Sequence, residues 1–208
     1  MNYLGHLLTL PHHGLFTLGN MLGDFAKGRA DSFEPWAFQI GIRLHREIDA
    51  YTDAHPAVLH SKSLVPAAQR RLAGVLVDIF YDHFYVEGVA FAEHRDSLAP
   101  FAPQLPETIR RLPFEMLSTR WFGAYSRIEG IGQILAKMDQ RRTRAVGLLG
   151  AECILEDHYA AFRSDALAFL PEVQAFTTAA LLRLQSAYPE APPAALAAEA
   201  SPGPGEKS

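Results

Sequence analysis

One short apolar segment carries side chains that could do chemistry. Residues 74–84 read GVLVDIFYDHF, and this run contains Asp78, Asp82 and His83. On a helix, Asp78 and Asp82 share one face because they are four residues apart. A helix that is apolar nearly all round is buried, and a buried carboxylate is costly unless it is paired, hydrogen-bonded or metal-bound. We therefore expect a positive partner here and favour a divalent metal; the alternative is a buried ion pair with an arginine such as Arg70.

A second set of polar side chains follows one face of a predicted helix. His45, Asp49 and Asp53 lie at positions i, i+4 and i+8, beside an apolar stripe of the same helix. A histidine and a carboxylate one turn apart can bind a single metal ion. The alternative is a solvated face on which Asp49 hydrogen-bonds His45. Asp53 could instead fix the turn before Pro56, because the helix dipole disfavours a carboxylate at a C-terminus.

A third set lies in the glycine-rich stretch of residues 19–28, GNMLGDFAKG. Its glycines allow close approach of the backbone, and Asp24 and Lys27 place opposite charges near one another. The spacing excludes a phosphate loop of the Walker type. The alternative is a helix end capped by Gly28, with Asp24 and Lys27 as a surface ion pair.

Together these sets offer carboxylate oxygens and imidazole nitrogens without a thiolate. This ligand chemistry suits Mn²⁺, Mg²⁺ or Fe²⁺ better than structural zinc. His6 follows Asn2 by four residues, so both side chains could face the same site or could merely close the N-terminal segment.

The elements that must position these residues are predicted to be helices. No segment alternates apolar and polar residues as a sheet would require, whereas apolar residues recur at helical spacing. We predict one helix from Pro35 to Asp53 and another that begins at Pro66 and reaches Phe84, because proline suits the first helical turn. Further helices are predicted around residues 87–98, 104–117, 119–125, 128–147, 150–168 and 171–187. The fold class is all-α, a single-domain helical bundle.

Composition limits the domain organisation and the class of function. We expect one helical domain over residues 1–188 and a flexible tail over 189–208, which is rich in Ala, Pro and Gly and cannot bury enough apolar surface to order itself. The net charge of -4 argues against a general binder of nucleic acid or anionic membranes.

The single cysteine, Cys153, cannot form an internal disulfide, so it fits a reducing compartment, and we expect it to be buried in a helix. The apolar N-terminal stretch has neither the charge pattern of a signal peptide nor the uninterrupted length of a membrane span, so the cytoplasm is the expected location.

Taken in order, these residues resemble the bacterial acyl carrier protein phosphodiesterase family. The resemblance covers roughly residues 1–171 and is most specific in four ordered blocks. The blocks are Met1-Asn2-Tyr3-Leu4 with His6; Gly19-Asn20 with Asp24-Phe25 and Gly28; His45-Arg46 with Ile48-Asp49, Thr52-Asp53 and Pro56; and Asp78 with Tyr81-Asp82-His83-Phe84. Weaker matches follow at Met138 with Arg141-Arg142 and at His158-Tyr159.

The resemblance implies hydrolysis of the phosphodiester between 4′-phosphopantetheine and a serine of holo acyl carrier protein, with Mn²⁺ or Mg²⁺ required. It also implies a helical fold similar to the HD-type metal phosphohydrolases. This chain has no His-Asp dipeptide, however; Asp82-His83 is the reverse order. Ligand positions of ordinary HD enzymes therefore cannot be transferred by position.

On this basis we assign roles to individual residues. The expected metal ligands are His45, Asp49, Asp82 and His83, with Asp24 completing or flanking the shell. Either Asp24 or Asp78 could orient the attacking water or accept its proton. Lys27 and Arg46 could neutralise charge on the phosphoryl oxygens.

Arginines gather in three places, at residues 70–71, 110–111 and 141–144. Solvated helix faces are the simple interpretation. Because carrier proteins are strongly acidic, a docking surface is the alternative. We expect it to contain Arg141, Arg142 and Arg144, or Arg70 and Arg71.

Two other functions fit the same sequence. The chain could be an HD-type metal phosphohydrolase that acts on another phosphoester, such as a nucleotide. It could also be a non-catalytic module that binds carrier protein and whose polar core is structural.

Overall fold

The computed structural model describes residues 1–118, 122–140 and 147–188, and it confirms the all-α fold class. Within these residues there are no strands, and the α-helices are numbered here in chain order. They are α1 Tyr3–Thr9, α2 Leu15–Met21, α3 Trp36–Ala54, α4 Pro56–Leu64, α5 Ala73–Tyr85, α6 Phe91–Leu98, α7 Leu112–Met116, α8 Ile128–Gln140, α9 Glu152–Asp157 and α10 Tyr159–Ala187. Short 3-10 helices span Ala30–Ser32, Ala67–Leu72 and Ala99–Gln104.

Prolines mark several helix boundaries as predicted. Pro35 immediately precedes α3. Pro66 precedes the 3-10 helix Ala67–Leu72, so the α-helix α5 begins at Ala73 rather than at Pro66 as predicted. The helix α4 was not predicted; Pro56 occupies its first position, where a fixed φ and a missing donor are tolerated.

The C-terminal helix differs from the prediction. We expected separate helices on either side of residue 171, but α10 runs unbroken through Pro171. A proline inside a helix removes one backbone hydrogen bond. Phe169 and Val173, on either side of it, are fully buried, and this packing offsets the loss.

Two glycines let α2 and α3 pack backbone against backbone. A Cβ on Gly19 would lie 2.4 Å from the carbonyl oxygen of Phe38, and a Cβ on Gly41 would lie equally close to the backbone of α2. Larger residues would force the helices apart. This close crossing places Asn20, the residue after the first glycine, beside His45 on α3.

The long helix α10 completes the bundle by packing against α1, α3, α4 and α5. No helix of the described ranges has the length and apolar character needed to cross a membrane. The predicted tail, 189–208, lies outside the described residues. Cys153 is exposed rather than buried, because α9 turns Ile154 and Leu155 into the core instead.

Candidate functional site

Three side chains from two helices converge at one point. His6 comes from α1, and His45 and Asp49 come from successive turns of α3. One nitrogen of each histidine and one carboxylate oxygen all lie within 4.8 Å of one another. Elsewhere in the described ranges, no other three His, Cys, Asp or Glu side chains converge in this way. We call these three residues the His–Asp cluster.

Asn20 of α2 orients both histidines. Its side-chain Oδ1 lies 2.9 Å from His6 Nδ1, and its backbone oxygen lies 2.8 Å from His45 Nδ1. Its Nδ2 donates to the carbonyl oxygen of His6 and to the hydroxyl of Thr9. Both imidazoles therefore turn their Nε2 atoms towards Asp49, and the two rings stack with centroids 4.0 Å apart.

These contacts decide which ring nitrogen carries a proton. A carbonyl oxygen only accepts, so Nδ1 of each histidine is the donor to Asn20. The Nε2 of a neutral histidine then carries a lone pair. Nε2 of His6 lies 3.1 Å from Asp49 Oδ1, and Nε2 of His45 lies 3.2 Å from Asp49 Oδ2. Acceptors that face one another at this distance need a proton or another cation between them.

Burial and charge shape the pKa values of the His–Asp cluster. Burial and the nearby His45 lower the pKa of His6 to about 4, against the influence of Asp49. Burial would also lower the pKa of His45, but hydrogen bonds to the Asp24 and Asp49 carboxylates outweigh it and raise that pKa to about 9. Burial opposes ionisation of Asp49, yet the hydrogen bond from His45 and the close contact with His6 hold its pKa far below the usual range. The cluster is thus a histidine-rich site around a firmly ionised carboxylate.

Asp24 flanks the His–Asp cluster from the loop after α2. Its Oδ1 lies 3.5 Å from His45 Nε2, and this hydrogen bond lowers the pKa of the carboxyl. The preceding Gly23 is required by the packing, because a Cβ there would lie 2.3 Å from Cγ of the His45 ring.

Asp78 of α5 is linked to the His–Asp cluster by the amino group of Met1, which contacts both Asp78 and Asp49. The Met1 nitrogen lies 3.0 Å from Asp49 Oδ1 and 3.5 Å from Asp78 Oδ2. Burial raises the pKa of Asp78, although the Met1 charge opposes that shift.

Asp82 was expected to be a metal ligand, but the structure gives it different partners. Its carboxylate accepts hydrogen bonds from Asn2 Nδ2 at 2.8 Å, from the Gly5 backbone N–H at 3.0 Å and from that of Leu4 at 3.4 Å. It therefore caps the N-terminus of α1, where backbone donors lack partners within the helix. Burial raises the pKa of Asp82 to about 8, although the backbone donors oppose this. Asp82 positions the helix that carries His6.

His83 was also expected to bind the metal, and it too has other partners. Its Nδ1 lies 2.7 Å from the backbone oxygen of Tyr125, and its Nε2 lies 3.1 Å from the hydroxyl of Tyr159. Adjacent helix residues point about 100° apart, so His83 does not share the direction of Asp82. Both of its nitrogens tie α5 to other parts of the bundle.

The other predicted polar residues make no described hydrogen bond or ion pair with the His–Asp cluster. Asp53 pairs with Lys62 at 2.7 Å, near the C-terminus of α3. Arg46 is exposed and donates to the backbone oxygen of Gly28 at 2.6 Å, while Lys27 is exposed.

The predicted docking arginines are only partly described. Arg70 and Arg71 are exposed on the 3-10 helix before α5. Arg141, Arg142 and Arg144 lie outside the described residues.

A cleft of about 1330 Å³ opens beside the His–Asp cluster. Asp24, Asp78 and Met1 line it. Asp24 contacts His45 and Met1 contacts Asp49, whereas Asp78 contacts the Met1 amino group. Its wall is built largely of apolar side chains from α5, α7 and α8, among them Ile79, Phe114, Met116, Ile134 and Met138. An apolar cleft with a few converging polar groups is the usual form of a small-molecule site.

The chain is similar to proteins of known family. A sequence model of the family described as "Acyl carrier protein phosphodiesterase" matches residues 1–173. A protein of that name from Photorhabdus laumondii is 33% identical over 180 residues, which is 80% of this chain and 89% of that protein. One from Yersinia pestis is 29% identical over 182 residues, covering 82% and 94%, and one from Escherichia coli O157:H7 is 30% identical over 189 residues, covering 84% and 96%. No solved structure matches the chain, so the resemblance to the HD-type fold stays a prediction.

Proposed function

This chain belongs to the acyl carrier protein phosphodiesterase family, and we propose that it is a metal-dependent phosphodiesterase that removes 4′-phosphopantetheine from the serine of holo acyl carrier protein. Water would attack phosphorus, the bond between phosphorus and the serine oxygen would break, and the products would be apo carrier protein and free 4′-phosphopantetheine. The observation that carries the proposal is the His–Asp cluster, which lies beside a cleft large enough for a small-molecule arm.

The donor set of the His–Asp cluster fits a divalent cation. Its atoms are two imidazole nitrogens with lone pairs and a carboxylate, and the Nδ1 atoms are held by Asn20 as metal-bound histidines usually are held by outer partners. His6, His45 and Asp49 would hold the ion, with Asp24 at the edge of the shell. We propose Mn²⁺ first, with Mg²⁺ or Fe²⁺ as alternatives, because nitrogen and oxygen ligands without thiolate suit these ions. When bound, such an ion supplies a water of lowered pKa and neutralises charge on a phosphoryl oxygen.

The chain's own carboxyl groups would handle the protons. Asp24 and Asp78 both line the cleft next to the His–Asp cluster. Hydrolysis of a phosphodiester moves one proton away from the attacking water and brings one to the departing serine oxygen. We assign these two transfers to Asp24 and Asp78, which lie on the cleft wall where such a substrate would bind.

The surroundings support the same function. The apolar cleft wall would exclude bulk water from the reacting phosphodiester and so strengthen the electrostatic interactions at the site. A cytoplasmic location, which we also propose, is consistent with the single cysteine.

Mass spectrometry of the carrier protein tests this function. The purified chain is incubated with holo carrier protein and Mn²⁺, and the carrier should lose the mass of phosphopantetheine. Asp49→Asn should slow this loss by about 100-fold or more, because it removes the charge between the two histidines. The matched control, Asp157→Asn, changes an exposed carboxylate on α9 and should retain full activity.

The other candidate functions predict different results. Hydrolysis of a small phosphodiester without any change in holo carrier protein would favour a phosphohydrolase with another substrate. A folded protein that binds carrier protein, does not bind or respond to Mn²⁺ and hydrolyses neither substrate would favour the binding module.

A further inference from the structure

Three cationic side chains on the cleft beside the His–Asp cluster form no ion pair with the described carboxylates. Arg110, Arg111 and Lys137 all line it and are exposed. Arg110 donates to the backbone oxygens of Pro103 and Leu105, at 3.4 and 3.0 Å from its Nη2. These carbonyl contacts hold the guanidinium in place without neutralising it.

No carboxylate within the described ranges forms an ion pair with any of these three cations. Among the described residues that line the cleft, three are acidic, namely Asp24, Asp78 and Glu115. The first two were described above as neighbours of the His–Asp cluster. Apart from Asp24 and Asp78, the cleft lining therefore has three cationic side chains and one carboxylate. We call Arg110, Arg111 and Lys137 the cationic rim.

We propose that the cationic rim is the surface on which an acidic carrier protein docks, with its phosphopantetheine arm lying in the apolar cleft between the rim and the His–Asp cluster. This inference rests on the proposed function and deepens it by assigning the docking residues. A docked protein must leave its arm directed at the cluster, and the rim lines the same cleft as Asp24 and Met1, which contact the cluster. Opposite charge on the two proteins would also accelerate their encounter.

The rim differs from the other described arginine pair. Arg70 and Arg71 lie on the 3-10 helix before α5, and neither lines the cleft. A carrier protein bound there would gain charge attraction without any contact with the cleft.

Binding of apo carrier protein tests the rim separately from catalysis, because the apo form has no arm to hydrolyse. Arg111→Glu and Lys137→Glu are the preferred variants, since neither side chain makes a hydrogen bond within the described residues that the fold would lose. Each reversal replaces an attraction with a repulsion, so we expect the Kd to rise about threefold for each and about tenfold for the pair. The dependence of Kd on salt should become shallower in the double variant.

A matched reversal elsewhere serves as the control. Arg163→Glu changes the charge equally on an exposed face of α10, and its Kd should remain at the wild-type value. A double rim variant with the Kd and salt dependence of the wild type would overturn the docking assignment. So would a variant Arg71→Glu that weakens binding more than Arg111→Glu.

The same samples separate this inference from the proposed function. If wild-type protein removes phosphopantetheine from holo carrier protein but reversal of the rim charges leaves the Kd for apo carrier protein unchanged, the docking surface is wrong and the function stands. If rim reversal weakens apo carrier binding but no phosphopantetheine is lost with Mn²⁺, the docking surface stands and the proposed hydrolysis is wrong.

Discussion

Replacing Asn20 tests how the fold prepares the His–Asp cluster. Asn20 is fully buried, and its side chain hydrogen-bonds the ring and the backbone of His6 as well as the hydroxyl of Thr9. Asn20→Ala would leave the Nδ1 proton of His6 without an acceptor and free the ring to adopt the other tautomer. The bond from His45 goes to the backbone of residue 20, so it would persist. The substitution therefore isolates the orientation of His6.

The expected magnitudes follow from these contacts. One orphaned buried donor and the small cavity should lower the free energy of unfolding by about 2–3 kcal/mol. Loss of the group that orients a metal-binding histidine should weaken Mn²⁺ affinity by about 10- to 100-fold. Thermal or urea unfolding in the presence of a chelator measures the first quantity, and calorimetric titration with Mn²⁺ measures the second.

Thr9→Val is the matched control. It removes the hydroxyl that donates to the His6 carbonyl at 2.8 Å, but Asn20 still donates to that carbonyl and still holds the His6 ring. It should cost about 1 kcal/mol of stability and leave Mn²⁺ affinity unchanged. The orienting role of Asn20 is refuted if Asn20→Ala loses stability yet binds Mn²⁺ as tightly as Thr9→Val.

Three further predictions concern the same site. Gly23→Ala should cut activity strongly, because its Cβ would lie 2.3 Å from the His45 ring. The control Gly74→Ala in α5 meets nothing closer than 3.9 Å, so it should keep activity and add up to about 1 kcal/mol of stability. Equal activity and equal stability of the two variants in turnover and unfolding assays would contradict this prediction. Because the pKa of His45 is raised to about 9, Mn²⁺ must displace a proton below that pH, so calorimetry should show its affinity rising about tenfold per pH unit up to about pH 9 and levelling off above it. The raised folded-state pKa stabilises the metal-free protein fully below the unfolded value of 6.5, and this stability should be lost as the pH rises from 6.5 to about 9. Asp82→Ala should lower the free energy of unfolding by about 1–3 kcal/mol, because the donors at the start of α1 lose their acceptor whether the carboxyl is ionised or not, and unchanged denaturation midpoints would contradict this role.

Helical periodicity was sufficient to predict the fold class and the boundaries of α3. It also placed His45 and Asp49 on one face, since an i, i+4 relation is local. The roles of His6 and Asn20 depend on how α1 and α2 cross α3, which the spacing along the chain does not contain. Their signals in the sequence were membership in the blocks that resemble the family and, for His6, its spacing of four residues from Asn2.

For Asp82, burial predicted that the carboxylate needs partners but not which groups supply them. Its position in an apolar helix correctly indicated a buried carboxylate that needs partners. A cation and a set of N–H donors satisfy that need equally well, and the donors here come from the start of α1, 77 residues away from Asp82 at Gly5. His83, one residue further, points to Tyr125 and Tyr159 instead. Sequence spacing alone could not distinguish these outcomes.

The most direct test of the account is the position of the metal. Crystals of the wild-type protein grown with Mn²⁺ would be measured at wavelengths on both sides of the manganese absorption edge. We predict one anomalous peak within coordination distance of His6 Nε2, His45 Nε2 and the Asp49 carboxylate. A peak beside Asp82 and His83, or none in a crystal of active protein, would contradict it.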